Sequence, residues 1–277
     1  MLSINSLKRL KPLLPLLLTG ILAGCAWLPE QVDKTKDWSA SRFYSEAKSA
    51  MSEGNYQTAV NYYEKLQARY PFGRYAQQAQ LDLIYVYYKD DEPDAAIAAA
   101  DRFIRANPRH PFVDYAYYMK GLINFARDNS LAAKLMPSDR ARTDPKLAQQ
   151  AFNDFAELVR KFPDSKYAKD AQQRMVFLRN NLAAYEVNVA QYYLRRKAYV
   201  GAVNRAKYVL EHYDRSPAVA DALVIMTEAY ARMGLTDLAK DSLRVLQLNQ
   251  PGSPYIAPLT ALVEGRASGD GPLYQGS

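Results

Sequence analysis

The chain has 277 residues, of which 49% are hydrophobic and 23% charged, which is typical of a globular protein and excludes a disordered one. Its formal net charge is +7, but Lys8, Arg9 and Lys11 lie in an acid-free start, and removing them leaves +4 on the rest. An excess this small, without a basic block or a recognition motif, argues against a nucleic-acid partner. The single cysteine, Cys25, excludes an intramolecular disulfide and an all-cysteine metal site.

The N-terminus has the layout of a signal sequence. A basic start precedes an apolar run at 13–22, which is shorter than the roughly 20 residues that span a bilayer. Leu-Ala-Gly-Cys then ends at Cys25 and resembles the bacterial lipobox. We therefore expect a signal peptide at 1–24 and a lipidated tether at 25–37, with the covalent lipid on Cys25 as the only cofactor. Ala26, in place of aspartate, indicates sorting to the outer membrane, whereas a plain secretory signal with a stray cysteine is the alternative.

A repeat runs through the middle of the chain. An alanine is followed twelve residues later by a proline in four places, Ala59 and Pro71, Ala96 and Pro108, Ala151 and Pro163, Ala239 and Pro251, and a fifth copy has Ala202 with Asp214. A small residue lets two helices approach closely, and proline cannot continue a helix. The pattern resembles the tetratricopeptide repeat (TPR), a pair of antiparallel helices. It predicts an all-α superhelical solenoid of about five TPR helix pairs without strands.

Two stretches depart from the repeat. Residues 128–145 are rich in loop-forming residues, and 165–198 contain neither glycine nor proline. We predict a loop in the first stretch and one long central helix of about thirty residues, near 45 Å, in the second. The domains expected are N-terminal repeats 1–3 at 38–163, C-terminal repeats 4–5 at 164–252 and a flexible tail at 253–277.

No catalytic or metal-binding motif accompanies this repeat. His110 and His212 lie far apart without a second ligand at metal spacing, so capping or surface roles are favoured. The acids at 90–92 precede Pro93, where they favour capping of the next helix. We expect no enzyme and no metal, unless polar residues from different repeats meet in space.

The aromatic residues indicate a binding surface. The chain has 22 tyrosines against 9 phenylalanines, and a curved repeat array offers a concave face for a peptide. We expect a groove with Tyr70, Phe72 and Tyr75 as an aromatic wall and with Arg102 and Arg105 as a positive rim for a carboxylate. In the alternative interpretation, Tyr70 and Phe72 flank Pro71 and only seal the turn between repeats.

Several segments go beyond what the repeat requires. They are Arg-Tyr-Pro-Phe-Gly at 69–73, Leu-Asp-Leu-Ile-Tyr-Val-Tyr-Tyr-Lys at 81–89, Asp-Arg-Phe-Ile-Arg at 101–105, Met-Val-Phe-Leu at 175–178 and Ala-Val-Asn-Arg at 202–205, with Gly121 between them. Together they resemble the BamD family, the lipoproteins of the outer-membrane β-barrel assembly (BAM) machinery. The resemblance spans roughly 20–250 and weakens at 131–142 and after Gly252.

The resemblance implies a non-enzymatic subunit on the periplasmic face of the outer membrane. Its C-terminal half would bind the POTRA domains of the barrel subunit BamA, with Arg205 and Arg196 as contacts, and other BAM lipoproteins would be further partners. Its N-terminal half would receive client proteins through their C-terminal strands, which end in an aromatic residue and a free carboxylate, in the groove that holds Tyr75 and Arg102. The alternatives are another lipid-anchored TPR scaffold, either a pilotin or a cell-division coordinator, and a peptidoglycan-linked envelope lipoprotein.

Overall fold

The computed structural model describes residues 33–128, 145–266 and 271–274, and its regular structure there is entirely α-helical. The helices are α1 (Ala40–Ser52), α2 (Tyr56–Arg69), α3 (Arg74–Lys89), α4 (Pro93–Ala106), α5 (Val113–Asp128), α6 (Lys146–Lys161), α7 (Ala168–Arg195), α8 (Tyr199–His212), α9 (Ala218–Arg232), α10 (Thr236–Asn249) and α11 (Ile256–Val263). None of these helices is long and apolar enough to cross a membrane. The predicted signal peptide, Cys25 and most of the predicted loop lie outside the described residues.

The helices pack as five successive pairs, from α1 with α2 to α9 with α10, which confirms the predicted TPR-like solenoid. The five repeat alanines all lie on the second helix of a pair and are fully buried. Each second helix ends two residues before the repeat proline or, in the fourth pair, before Asp214. A residue that precedes proline disfavours helical geometry, which explains the four proline cases. The fourth pair shows that helix ending does not require the proline.

The long helix α7 joins the two halves. It runs unbroken through 28 residues, about 42 Å at 1.5 Å per residue, and confirms the predicted central helix. Leu178 and Leu182 pack in the core of the N-terminal half, whereas Ala183 and Val187 belong to the core of the C-terminal half. One helix thus contributes to both cores and fixes their separation.

The first helices form the inner layer of the solenoid. Helix α3 packs against both α1 and α5, and α7 packs against α9. Side chains of α5 also reach α7, since Tyr118 donates to Asp170. Successive second helices in the described chain have no comparable contact. Elements on the inside of a curved stack lie closer together than those on the outside, so the first helices line the concave face.

Both ends of the described chain are more ordered than the sequence indicated. The tail expected to be flexible at 253–277 instead forms α11, whose Leu259 is fully buried, and residue Tyr274 is also buried, so that expectation is wrong for these residues. At the other end, Arg69 donates to the carbonyl oxygens of Thr35 and Lys36 and to the carboxylate of Asp33. The last part of the expected tether therefore packs on α2.

Candidate peptide-binding surfaces

The five residues of the predicted groove do not form one surface. Tyr70 directly follows the last residue of α2. Its hydroxyl donates to the carbonyl oxygen of Trp38 at 2.8 Å, so Tyr70 holds the N-terminal segment against α2. Phe72 projects from the next turn with 90% of its side chain exposed. Tyr70 therefore packs on the N-terminal segment, which neither the groove nor the turn-sealing interpretation had specified.

Tyr75 belongs to an aromatic surface on the inner layer. Its ring centroid lies 5.6 Å from that of Tyr44 on α1. Asp82, two turns further along α3, accepts hydrogen bonds from the hydroxyls of Tyr44 at 2.9 Å and Tyr63 at 3.0 Å. Burial and the Asp82 carboxylate raise the pKa of both tyrosines, so both remain protonated donors.

The same surface continues along the solenoid. Tyr118 on α5 stacks on Tyr167 with the ring centroids 4.7 Å apart, and its hydroxyl donates to Asp170 on α7 at 2.8 Å. Tyr115 lies 5.8 Å from Tyr167. Sequence reasoning missed these tyrosines, although their helical spacing on the first helices was a usable signal. The inner face therefore presents half-buried aromatic rings, and carboxylates fix the hydroxyl groups of two of them, Tyr44 and Tyr118.

Arg102 and Arg105 lie elsewhere, in a pocket of about 440 Å³ between α2, α3 and α4. Its lining consists of Gln67, Gln80, Leu83, Ala99, Arg102, Phe103, Arg105 and Ala106. At about 100° per residue, Gln80 and Leu83 project from α3 roughly 120° away from Tyr75 and Asp82. The structure thus separates the arginines from the aromatic wall, contrary to the expected single groove.

The chemistry of this pocket suits an anion with an apolar side chain. Neither arginine forms an ion pair within the described residues, and both are exposed. The Nε2 atom of Gln67 is buried and has no hydrogen-bond partner there. A buried donor without an acceptor costs free energy that a bound carboxylate oxygen would recover. Leu83 and Phe103 supply apolar surface beside these donors.

The two arginines predicted on the C-terminal half have separate surroundings. Arg205 on α8 donates from Nη1 to Oε2 of Glu186 on α7 at 3.1 Å, and only 11% of the Glu186 side chain is exposed. Arg196, at the end of α7, lies over the ring of Tyr192 at 5.2 Å. Arg205 therefore stabilises the α7 and α8 contact, a role that sequence reasoning did not anticipate.

An apolar stripe lies on the outer surface of this half. Leu238, Val245 and Leu248 follow one another at helical spacing on α10, with 47%, 39% and 78% of their side chains exposed. Leu235 precedes them at the start of the helix and is 44% exposed. Exposed apolar residues in a continuous stripe mark a binding surface more often than scattered ones do.

The candidate catalytic residues have local roles. His110 accepts a hydrogen bond from a backbone amide two residues away, and His212 stacks on Tyr208 at 3.9 Å. Asp91 adopts a left-handed backbone with φ of 61°, and Glu92 makes no side-chain cap, so the acids at 90–92 form a turn and the expected capping is wrong. Among the described residues no group of three possible metal ligands occurs.

The chain is similar to known proteins over most of its length. A family model described as outer membrane lipoprotein matches residues 36–246. Outer membrane protein assembly factor BamD of Neisseria meningitidis serogroup A is 45% identical over 250 residues, covering 89% of this chain and 93% of that protein. BamD of Vibrio cholerae is 42% identical over 234 residues, covering 84% and 96%. BamD of Haemophilus influenzae is 33% identical over 244 residues, covering 88% and 92%.

Proposed function

Because the chain belongs to the BamD family of outer membrane lipoproteins, we propose that it is a non-enzymatic assembly factor for outer-membrane proteins. The observation that carries this proposal is the match to the family over residues 36–246, which includes both halves of the solenoid. Curated relatives that cover most of the chain are named as assembly factors. These names favour the assembly role over a pilotin, a cell-division coordinator or a peptidoglycan-linked lipoprotein.

The anchor in this proposal is a lipid on Cys25, at the periplasmic face of the outer membrane. The lipobox-like sequence before Cys25 and the outer-membrane lipoprotein family support it. Several acyl chains, each contributing about 0.8 kcal/mol per buried CH₂, hold such a protein on the membrane. The solenoid would then act in the periplasm beside the other lipoproteins of the complex.

The scaffold partner would bind the C-terminal half. The proposed partner is the barrel subunit BamA, through its POTRA domains, and the apolar stripe on α10 offers a surface for it. Arg205 would contribute only the guanidinium edge that Glu186 leaves free. Arg196 is exposed at the end of α7 and would contact the partner at the edge of the interface.

A pull-down tests the whole proposal. The tagged, lipidated chain is recovered from detergent-solubilised envelope, and BamA should co-purify with it. Leu238→Ser with Leu248→Ser should reduce the yield of BamA, because polar groups would replace the exposed apolar stripe. Leu259→Ser cannot serve as a control for these surface changes, because the Leu259 side chain is fully buried and its replacement would alter the core. Absence of BamA from the pull-down of the unmodified chain would contradict the proposal.

Client proteins would bind the N-terminal half through their C-terminal strands. The pocket at Arg102 and Arg105 would hold the terminal carboxylate and the terminal aromatic ring, with Gln67 as an additional donor. The inner face around Tyr75 would contact other parts of the client, since it lies on another side of α3. Charge-assisted hydrogen bonds to a carboxylate contribute about 1.5–3 kcal/mol each when water is partly excluded.

Two peptides distinguish this carboxylate pocket from a general aromatic surface. One copies the last strand of a barrel protein with its free carboxylate, and the other carries a terminal amide. The acid should bind roughly tenfold more tightly, and Arg102→Gln with Arg105→Gln should abolish the difference. Arg160→Gln is the matched control, because Arg160 is exposed on α6, away from the pocket. Equal binding of both peptides would mean that the client's terminal carboxylate does not bind in this pocket.

A further inference from the structure

Residues 271–274, in the chain's own C-terminal segment, bind to side chains of α9. Glu228 on that helix has no exposed surface. Its carboxylate accepts the backbone N–H of Leu273 at 2.9 Å and 3.0 Å and that of Tyr274 at 3.2 Å. Arg232, one turn further along α9, donates to Glu228 at 2.9 Å and also to the carbonyl oxygen of Gly271. One ion pair therefore binds three backbone groups of this segment.

The same site encloses an aromatic side chain. Tyr274 is 2% exposed, and its ring centroid lies 5.5 Å from that of Tyr255, which immediately precedes α11. Its hydroxyl donates to Asp221 on α9, a carboxylate whose pKa is raised by burial. Leu273 packs beside it in the core of the C-terminal half. The site thus combines a backbone clamp with a pocket for a tyrosine.

Glu228 differs from Asp82 and Asp170, which lie on other first helices, in where its donors come from. Asp82 and Asp170 accept hydrogen bonds from tyrosines on packed helices of the solenoid itself. The backbone donors of Glu228 belong to residues 273 and 274, far beyond the last helix pair. Without them, this buried carboxylate would keep Arg232 as its partner and lose three hydrogen bonds, which is a costly arrangement. The face of α9 is therefore complementary to a peptide segment without helical structure.

We infer that the α9 and α11 surface is a binding site for a non-helical peptide segment in which an apolar residue precedes an aromatic one, and that residues 271–274 occupy it in the absence of a partner segment. This inference does not depend on the proposed client pocket, which lies in the other half. A tethered ligand has an effective concentration of order millimolar, so a free segment must compete with it. The site would consequently open only to a partner that is held nearby or binds more tightly.

The test uses the full-length chain with Leu273→Pro and Tyr274→Ala, which removes one backbone donor and the aromatic ring from the tail. A fluorescent peptide copying residues 271–277 is added, and its anisotropy is measured. It should bind this variant saturably and bind the unmodified chain at least tenfold more weakly. Peptides that carry proline in place of Leu273, or alanine in place of Tyr274, should each bind at least tenfold more weakly than the unmodified peptide.

A second measurement uses the unmodified chain and does not require the variant to fold. Peptide added above the millimolar effective concentration of the tail should displace the tail and accelerate hydrogen exchange at the amides of residues 273 and 274. Unchanged exchange rates, or equal binding of the proline-containing peptide, would overturn the inference. Absence of saturable binding to a variant with the circular dichroism and melting curve of the unmodified chain would do the same. Any of these three results would leave the tail with only a structural role, that of covering α9.

Discussion

Gly121 allows close packing of α5 on α6, and its replacement by alanine is a direct test of the helix crossing. A Cβ atom at this position would lie 2.5 Å from Cδ1 and 2.6 Å from Cε1 of Phe155. Phe155 is fully buried on α6, and its ring packs against those of Tyr118 and Phe125, with centroids 6.0 Å and 6.4 Å away. The ring therefore has no open space into which it can rotate.

Two opposing effects determine how much Gly121→Ala changes the free energy of unfolding. Alanine is more favourable than glycine in a helix interior by about 1 kcal/mol. Overpacking of a well-packed core costs about 1–3 kcal/mol, and a contact at 2.5 Å to a ring this confined belongs at the upper end. We therefore expect the free energy of unfolding to fall by about 1–2 kcal/mol, taking the overpacking cost less the propensity gain.

Urea denaturation followed by far-UV circular dichroism measures this change. Gly201→Ala is the control, because a Cβ there would lie 3.2 Å from the ring of Tyr193, which is only half-buried and can move. It should change the stability much less. Phe155→Leu should remove most of the penalty of Gly121→Ala in a double-mutant cycle, since the smaller side chain frees the space. A Gly121→Ala variant as stable as the unmodified chain would refute the argument.

Three further predictions concern the anchor, the C-terminal half and the N-terminal segment. Cys25→Ser should leave an unprocessed or soluble product in membrane fractionation, and normal outer-membrane attachment would contradict lipidation there. Arg205→Glu should weaken the α7 and α8 contact by placing a second carboxylate beside Glu186, and addition of Glu186→Arg should restore stability. Arg205→Glu should also lower the co-purification of BamA. If co-purification remains low in the charge-swapped chain, Arg205 contacts the partner directly. If it recovers fully, the role of Arg205 is limited to the internal pair with Glu186. Hydrogen bonds from Thr35 lower the pKa of Asp33 to about 2 from 3.8, so its stabilising contribution is present above 3.8 and is lost as the pH falls towards 2. The emission of Trp38 in a single-tryptophan background should change across this window, and Asp33→Asn should remove the change; identical curves would show that Asp33 does not hold the segment.

The sequence by itself determined the architecture, because the relevant signals are local. Ala59 and its counterparts in the other repeats are small because two helices cross there, and each second helix ends where the chain no longer supports helical geometry. The stretch without glycine or proline predicted the long helix α7 for the same reason. Helix formation, helix ending and close approach depend on residues within a few turns of one another, so spacing along the chain was sufficient.

Only the tertiary structure decided which side chains meet. Tyr75 and Arg102 are close in the repeat pattern, yet the rotation of each residue about its helix and the stacking of pairs direct them to different surfaces. Glu228 and Leu273 are 45 residues apart, and the glycine-rich chain before Leu273 indicated only flexibility. The hydrogen bond between them exists because α9 buries a carboxylate whose donors must come from elsewhere. Such a pairing depends on the three-dimensional path of the chain, which no local spacing encodes.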